Sequence, residues 1–286
     1  MWTQRRKAFS LLELLVAVTI IGVMIGLLLP AIQRVRAAAI RSKNFNQLRQ
    51  IGIGLHNFAG DHDGRMPGIV SGPFRYNSKY DDIPLAAVRS YIELSGQVLR
   101  PEEVVIPGFL DPLDPTTNVP SKTMSRGTTS YAFNMVAFSG RPKLGIEFAD
   151  GTSSTIAFAE HYARGGSEGA FNYSFSLVSS SVEGYPPSEY YRELSHVRRG
   201  SFADAYYGDV LPVTSDGVTQ PSRAGATFQV QPTPEQFDPF IPQSPYAGGM
   251  PVLMFDGSVR MIQSSISPSA FWSAVTREGG EVTTLD

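Results

Sequence analysis

Arg5-Arg6-Lys7-Ala8-Phe9-Ser10-Leu11-Leu12-Glu13-Leu14 opens an apolar run that continues to Leu29, and the reading of this stretch decides the fold. From Leu14 to Leu29 there are 16 residues without a charge, and Thr19 is their one polar member. Taken from Phe9 to Ile32 the stretch is 24 residues long, interrupted by Ser10, Glu13 and Pro30. A helix rises about 1.5 Å per residue, so roughly 20 residues cross a hydrocarbon core of about 30 Å. The run is long enough to span. Its basic cluster comes first, so the positive-inside tendency keeps residues 1–7 in the cytoplasm and sends the remainder out.

Glu13 is the discordant residue. A carboxylate inside a spanning segment is costly and points to a function with a partner group. A second reading places it near the start of the helix, where the helix dipole favours an acid. Gly22-Val23-Met24-Ile25-Gly26 is a GxxxG pattern that lets helices approach closely in lipid, and Pro30 is expected to bend or locally melt the helix.

Lys7-Ala8-Phe9-Ser10-Leu11-Leu12-Glu13-Leu14-Leu15 resembles the type IV prepilin signal: a short basic leader, a small residue, then Phe, with Glu as the fifth mature residue. The resemblance implies cleavage between Ala8 and Phe9 by a prepilin peptidase, N-methylation of Phe9, and pairing of Glu13 with the α-amino group of a neighbouring Phe9 during assembly. Ala8 stands where that family usually has Gly; it is still small, so cleavage is expected. Pro30 falls where pilin helices commonly carry a proline. Two other readings compete: a secretory signal cut near Ala37-Ala38-Ala39, and a plain uncleaved anchor. Arg34 and Arg36, just ahead of the supposed cut, and the length of the apolar run weigh against the secretory signal.

Charge divides the chain in two. Residues 1–60 carry eight Lys/Arg against Glu13 alone, a net of +7, and the remainder carries 16 bases and 25 acids, a net of -9. An acidic head argues against nucleic acid as its main partner. With no Cys there is no disulfide, Cys-ligated metal or thiol nucleophile, and 42% hydrophobic residues in 286 supply ample core.

Beyond Pro30 the pattern becomes amphipathic. Ile32, Val35, Ala39, Leu48, Ile51, Leu55 and Phe58 recur at three- and four-residue steps, with Gly52 and Gly54 as breaks and Gly60-Asp61 as a stop. A helix over the 50 residues from Phe9 to Phe58 would be about 75 Å long, so its second half is expected to lie against the head.

Residues 61–286 are rich in Gly, Pro, Ser and aromatics, with short strand-like runs. Asp256-Gly257 between Val252–Phe255 and Ser258–Ile262 signals a hairpin, and Asp150-Gly151 and Asp216-Gly217 read as turns. Residues 130–137 and 153–159 read as strands. Ser267 before Pro268 marks the start of a short helix over 268–275.

The whole chain resembles one large bacterial family of prepilin-like proteins with a C-terminal His-x9-Asp-Gly element. The pieces that carry this are Asn46–Gly52 with Leu55-His56-Asn57-Phe58, then Asp150–Ile156, Phe228–Pro232, and Gln243–Met250 running into Asp256–Arg260. Two departures stand out: Tyr246 occupies the His of that element, and Asp111, in Phe109-Leu110-Asp111-Pro112-Leu113-Asp114-Pro115, sits where relatives often have Cys. A structural role beside the hairpin survives a change to Tyr more easily than a chemical or metal-binding one.

Other candidates for chemistry are thin. Gly165-Gly166-Ser167-Glu168-Gly169 matches G-x-S-x-G, and His196 follows, but residues 169–182 read as strand and loop where a nucleophile elbow needs a helix. Asp61-His62-Asp63-Gly64 lacks the further acids of a calcium loop and reads as a helix-ending turn. His56, His161 and His196 have no zinc-like spacing. No metal or cofactor is expected.

The expected architecture is α+β and pilin-like: a basic leader (1–8), a transmembrane and stalk helix (9–60) and a mainly antiparallel β head (61–286). The expected protein is a non-enzymatic pilus or type II secretion-like pseudopilus subunit. It sits in the inner membrane with its head in the periplasm, or in an extracellular filament. Its partners would be the prepilin peptidase, other pilin-like subunits, the inner-membrane assembly machinery and membrane lipid. Ala8 and Phe9 serve processing; Glu13, Gly22, Gly26 and Pro30 serve assembly; Tyr246, Asp256 and Gly257 carry the family element. The alternative is a membrane-tethered periplasmic binding protein using Tyr185, Tyr190, Tyr191, Tyr206 and Tyr207.

Overall fold

The computed structural model describes residues 10–68, 84–92, 106–118, 128–165, 173–176, 197–199, 201–203, 226–238 and 241–278. Helix α1, Leu11–Asp61, is continuous. Contacts divide the chain into two compact units, one ending at Lys43 and the other beginning at Asn44. In the first unit α1 is exposed along almost its whole surface, including Leu14, Val18, Ile21, Ile25 and Leu28, and it is long and apolar enough to cross a membrane. The helix does not melt at Pro30. Proline forfeits one N–H, the one that would reach the Gly26 carbonyl, and the intact turns on either side carry the helix through.

The second unit is built on a four-stranded sheet in the order β1-β2-β8-β9. Its strands are β1 (Tyr131–Phe133), β2 (Ile156–Glu160), β8 (Met250–Met254) and β9 (Val259–Ile262), and every neighbouring pair is antiparallel. Side chains alternate between its two faces as the period of a strand requires. Tyr131, Phe133, Phe158, Leu253 and Phe255 share one core with Leu48, Ile51, Leu55 and Ala59 of α1. Ala132, Ile156, Ala159, Val252 and Met254 share the other with Phe271, Trp272 and Val275. Both faces are covered, so β1, β2 and β8 are buried throughout. A bulge between Ile156 and Phe158 sets two β2 residues against one of β8, and Ala157 thereby joins the α1 face beside Phe158. The molecule is α+β: a long apolar N-terminal helix followed by a mostly antiparallel head.

Smaller elements complete it. Strands β3 (Arg164–Gly165), β4 (Tyr173–Ser176) and β5 (Val197–Arg199) form a second sheet, and β6 (Gln229–Val230) pairs with β7 (Gln243–Ser244) in parallel. Helix α2 spans Pro84–Arg89, α3 Met135–Phe138 and α4 Pro268–Ser273. The Ser267 hydroxyl accepts the Ala270 N–H and starts α4 as its sequence position requires.

Three local expectations are revised. The strand sought over 130–137 stops at Phe133, because the Asn134 side chain accepts the Ala137 N–H and caps α3. The strand sought over 153–159 begins at Ile156, because residues 151–154 close a turn in which Ser154 N–H donates to the Gly151 carbonyl. Gly52 and Gly54 do not break the buried face of α1; they belong to it. A Cβ on Gly52 would lie 3.0 Å from Leu253 Cδ1 and 3.4 Å from Gly257 Cα, so helix and hairpin meet where neither residue has a side chain.

Candidate functional site

Two places on the chain concentrate polar groups in apolar surroundings. The first is the start of α1. Ser10 is its N-cap: Glu13 N–H donates to Ser10 Oγ (3.2 Å), and Ser10 N–H donates back to Glu13 Oε2 (2.9 Å). This reciprocal capping box satisfies two backbone donors that the first turn leaves without partners. The S-x-x-E spacing was legible in Ser10-Leu11-Leu12-Glu13, though the dipole argument alone does not single it out. Ala8 and Phe9 lie outside the described residues. Gly22 and Gly26 have nothing of this chain within 4 Å of a would-be Cβ, so that stretch of helix is bare.

The second is a buried cluster in the head that brings together distant segments. Asn44 of α1 donates its amide to Glu160 Oε1 at the end of β2, and Ser244 Oγ of β7 donates to Glu160 Oε2 (2.7 Å). Asp111 lies within hydrogen-bonding reach of Glu160 and Asn44. Its Oδ1 accepts the Leu113 N–H (2.9 Å) and the Tyr246 hydroxyl (3.3 Å). Asn44, Asp111 and Glu160 are at most 2% exposed. Gln47, one helical step from Asn44, accepts the Tyr131 hydroxyl (3.2 Å) and donates to the Pro107 and Leu110 carbonyls.

Beside the cluster, Asp114 accepts four hydrogen bonds. Oδ1 takes the Thr116 N–H and hydroxyl, and Oδ2 takes the Ser130 hydroxyl and the Ala163 N–H, all within 2.9 Å. Each Asp-Pro of Asp111-Pro112-Leu113-Asp114-Pro115 thus folds as a turn closed by its own carboxylate. Burial outweighs these donors and lifts Asp114 to about 6. Burial also raises Asp111, and it raises Glu160 well above the usual carboxylate range with help from the nearby Asp111 charge. Tyr131, Tyr162 and Tyr246 are all raised, first by desolvation and then by the adjacent carboxylates.

Of Tyr246, Asp256 and Gly257, Tyr246 alone is bonded to this cluster, and the Asp256-Gly257 turn lies at the other end of β2, beyond Ile156. Met254 and Val259 are joined by the four residues Phe255–Ser258, where Gly257 takes φ 84° and Asp256 Oδ1 accepts the Ser258 N–H (2.8 Å). Phe255 and Asp256 donate their N–H groups to the Thr155 and Thr152 carbonyls, and His56 of α1 lies against Gly257. The pieces at 46–58, 150–156 and 255–260, far apart in sequence, meet here. Tyr246 is buried, and it reaches the acid cluster with its hydroxyl.

Asn44, Glu160, Asp114 and Ser244 were not picked out from the sequence as site residues. Glu160, a carboxylate closing the apolar strand Ile156-Ala157-Phe158-Ala159, was the available signal. His161 is buried behind Glu160 with Nδ1 3.0 Å from the Tyr162 carbonyl. Asp61–Gly64 ends α1 in a turn, and among the described residues no group of three His, Cys, Asp or Glu could hold a metal ion. Ser167, His196, Asp216-Gly217 and the five loop tyrosines (Tyr185, Tyr190, Tyr191, Tyr206 and Tyr207) lie outside the described residues.

Residues 3–29 match the prokaryotic N-terminal methylation motif, which supports a type IV pilin-like protein, and the apolar helix with an acid in its first turn is consistent with it. Residues 106–269, more than half of the chain, match the family described as "Protein of unknown function (DUF1559)", and the chain belongs to it. No curated protein and no solved structure matches the chain.

Proposed function

We propose that the protein is a structural, non-catalytic subunit of a type IV pilus or of a type II secretion-like pseudopilus. The observation that carries this is the methylation motif over residues 3–29, whose part from Leu11 onward lies on a helix with exposed apolar side chains. In this reading residues 1–8 are a leader, a prepilin peptidase cuts after Ala8, and Phe9 becomes the methylated N-terminus. The α1 anchor holds the precursor in the inner membrane with its head in the periplasm. It then passes from lipid into a bundle of sibling helices.

Glu13 supplies the charge that assembly needs. In the isolated chain its carboxylate is occupied by the Ser10 N–H, so it sits in lipid with a partner already in hand. When subunits meet, the α-amine of a neighbouring Phe9 replaces that weaker partner, and two charges that are costly in lipid compensate one another. Gly22 and Gly26 let helices approach, and Pro30 lends the rod compliance.

Mass spectrometry of the mature N-terminus tests the reading. Methylated Phe9 is expected. Protein that keeps residues 1–8, or that starts near Ile40, overturns it. Crosslinking between α1 segments in whole cells, lost in Glu13→Ala, would place the processed chain in an assembly.

A further inference from the structure

Among the described residues the Asp111–Glu160 pair has no bonded cation of the kind that usually accompanies two buried acids. Asn44 and Gln47 of α1 are neutral, Tyr131 of β1 and Tyr246 are phenols, and Ser244 of β7 is a hydroxyl. Asp114, His161 and Tyr162 are further titratable neighbours among the described residues. Among the described residues, the ion pairs Arg65–Glu147 and Arg277–Glu147 involve none of these groups. Asp111 Oδ2 is buried and has no hydrogen bond of ordinary geometry, although Asn44 and the Glu160 carboxyl both stand within reach of Asp111. Two ionised carboxylates in such contact, without a cation, repel strongly in a water-poor interior. One proton removes the repulsion and fills the empty acceptor.

We propose that Asp111 and Glu160 hold a single proton between them, and that this proton site fastens α1 to the sheet and to the Tyr246 loop. Glu160 carries the proton and donates it to Asp111 Oδ2. Its remaining lone pairs accept from Asn44 and Ser244, while Asp111 Oδ1 accepts from Leu113 and Tyr246. The link reaches α1 at Asn44, the first residue of the head unit.

A divalent cation is the rival occupant, but the pair offers two carboxylates and the Asn44 amide oxygen, short of the six to eight oxygens that calcium takes. The burial-driven rise at both carboxyls points the same way as the geometry. Because folding raises the affinity for the proton, its contribution is complete below the unfolded carboxylate value and is lost as pH rises through the folded one. The clasp is therefore tight in acid and loosens in base.

The test uses the full chain in detergent micelles, unfolded with denaturant from about pH 5 to about pH 9. Wild-type stability should fall as pH rises, by up to tenfold in the folding equilibrium per pH unit for one proton. Glu160→Gln, which keeps a donor toward Asp111, should remove that fall above pH 6 and leave EDTA without effect. Infrared spectroscopy of wild type at pH 8 should show a protonated carboxylic acid, and this readout requires no variant to fold. Equal pH slopes in wild type and Glu160→Gln, no acid band at pH 8, or a stability lowered by EDTA would each overturn the proposal.

Discussion

The Tyr246 hydroxyl donates to Asp111 Oδ1 across 3.3 Å, although 135 residues separate the two in the chain. In the fold they touch: a phenol donor is set against a carboxylate acceptor, both withdrawn from water. Tyr246 thereby helps hold the Asp-Pro segment against the head.

Tyr246→Phe deletes that donor and keeps the ring. Asp111 Oδ1 retains the Leu113 N–H, so the expected cost is about 1 kcal/mol in denaturant unfolding of the full chain. Combined with Asp111→Ala, the loss should be smaller than the sum of the two single changes, because both remove the same contact.

Asp114 should lower stability as pH rises. Its folded value of about 6 lies above the ordinary carboxylate value, so the folded state holds its proton more tightly than the unfolded chain does. Its contribution is whole below about pH 4 and is lost as pH passes through about 6. Asp114→Asn should flatten the curve in that window alone. It should also cost about 2 kcal/mol, since an amide nitrogen in place of Oδ2 cannot accept the Ala163 N–H. Unfolding curves taken at half-unit pH steps would read both effects.

Gly54 and Gly60 of α1 make opposing predictions under the same substitution. A Cβ on Gly54 would lie 2.5 Å from Cγ1 of the buried, β-branched Val88, so Gly54→Ala should cost about 1–3 kcal/mol of packing, more than its gain in helix propensity. Gly60 has nothing within 4 Å, and Gly60→Ala should be neutral or stabilising by up to about 1 kcal/mol. Thermal unfolding of the pair separates close approach from simple glycine flexibility.

Ser10 and Glu13 separate capping from assembly. Ser10→Ala removes the hydroxyl that accepts the Glu13 N–H but leaves the carboxylate, so the first turn should fray while crosslinked subunits persist. Glu13→Ala removes the acid and should abolish crosslinking with the head still folded. Loss of crosslinking in Ser10→Ala alone would mean that the cap is what assembly requires. Circular dichroism of the head and crosslinking in cells supply the two readouts.

Much of the fold was legible because its signals are local. The apolar run from Leu14 to Leu29, the Asp256-Gly257 turn and the Ser267-Pro268 start each act within a few residues, and each stands where its chemistry directs. The strand limits were less legible, because Asn134 ends β1 through a cap that competes with the sheet and is visible only once the Ala137 N–H faces it. The acid cluster was hidden for a different reason. Asn44, Asp111, Glu160 and Ser244 come from four segments, and nothing in any one of them says that it will meet the others. Gly52 and Gly54 looked like interruptions because a period of apolar residues cannot register a position that is buried through having no side chain.

Leu48, Ile51, Leu55 and Ala59 line the same core as Phe158 and Phe255, so the final turns of the anchor are an inner wall of the globule it carries. A soluble version cut at residue 61 would leave that wall open and is expected to aggregate, whereas one beginning a few residues before Asn44 keeps the globule closed.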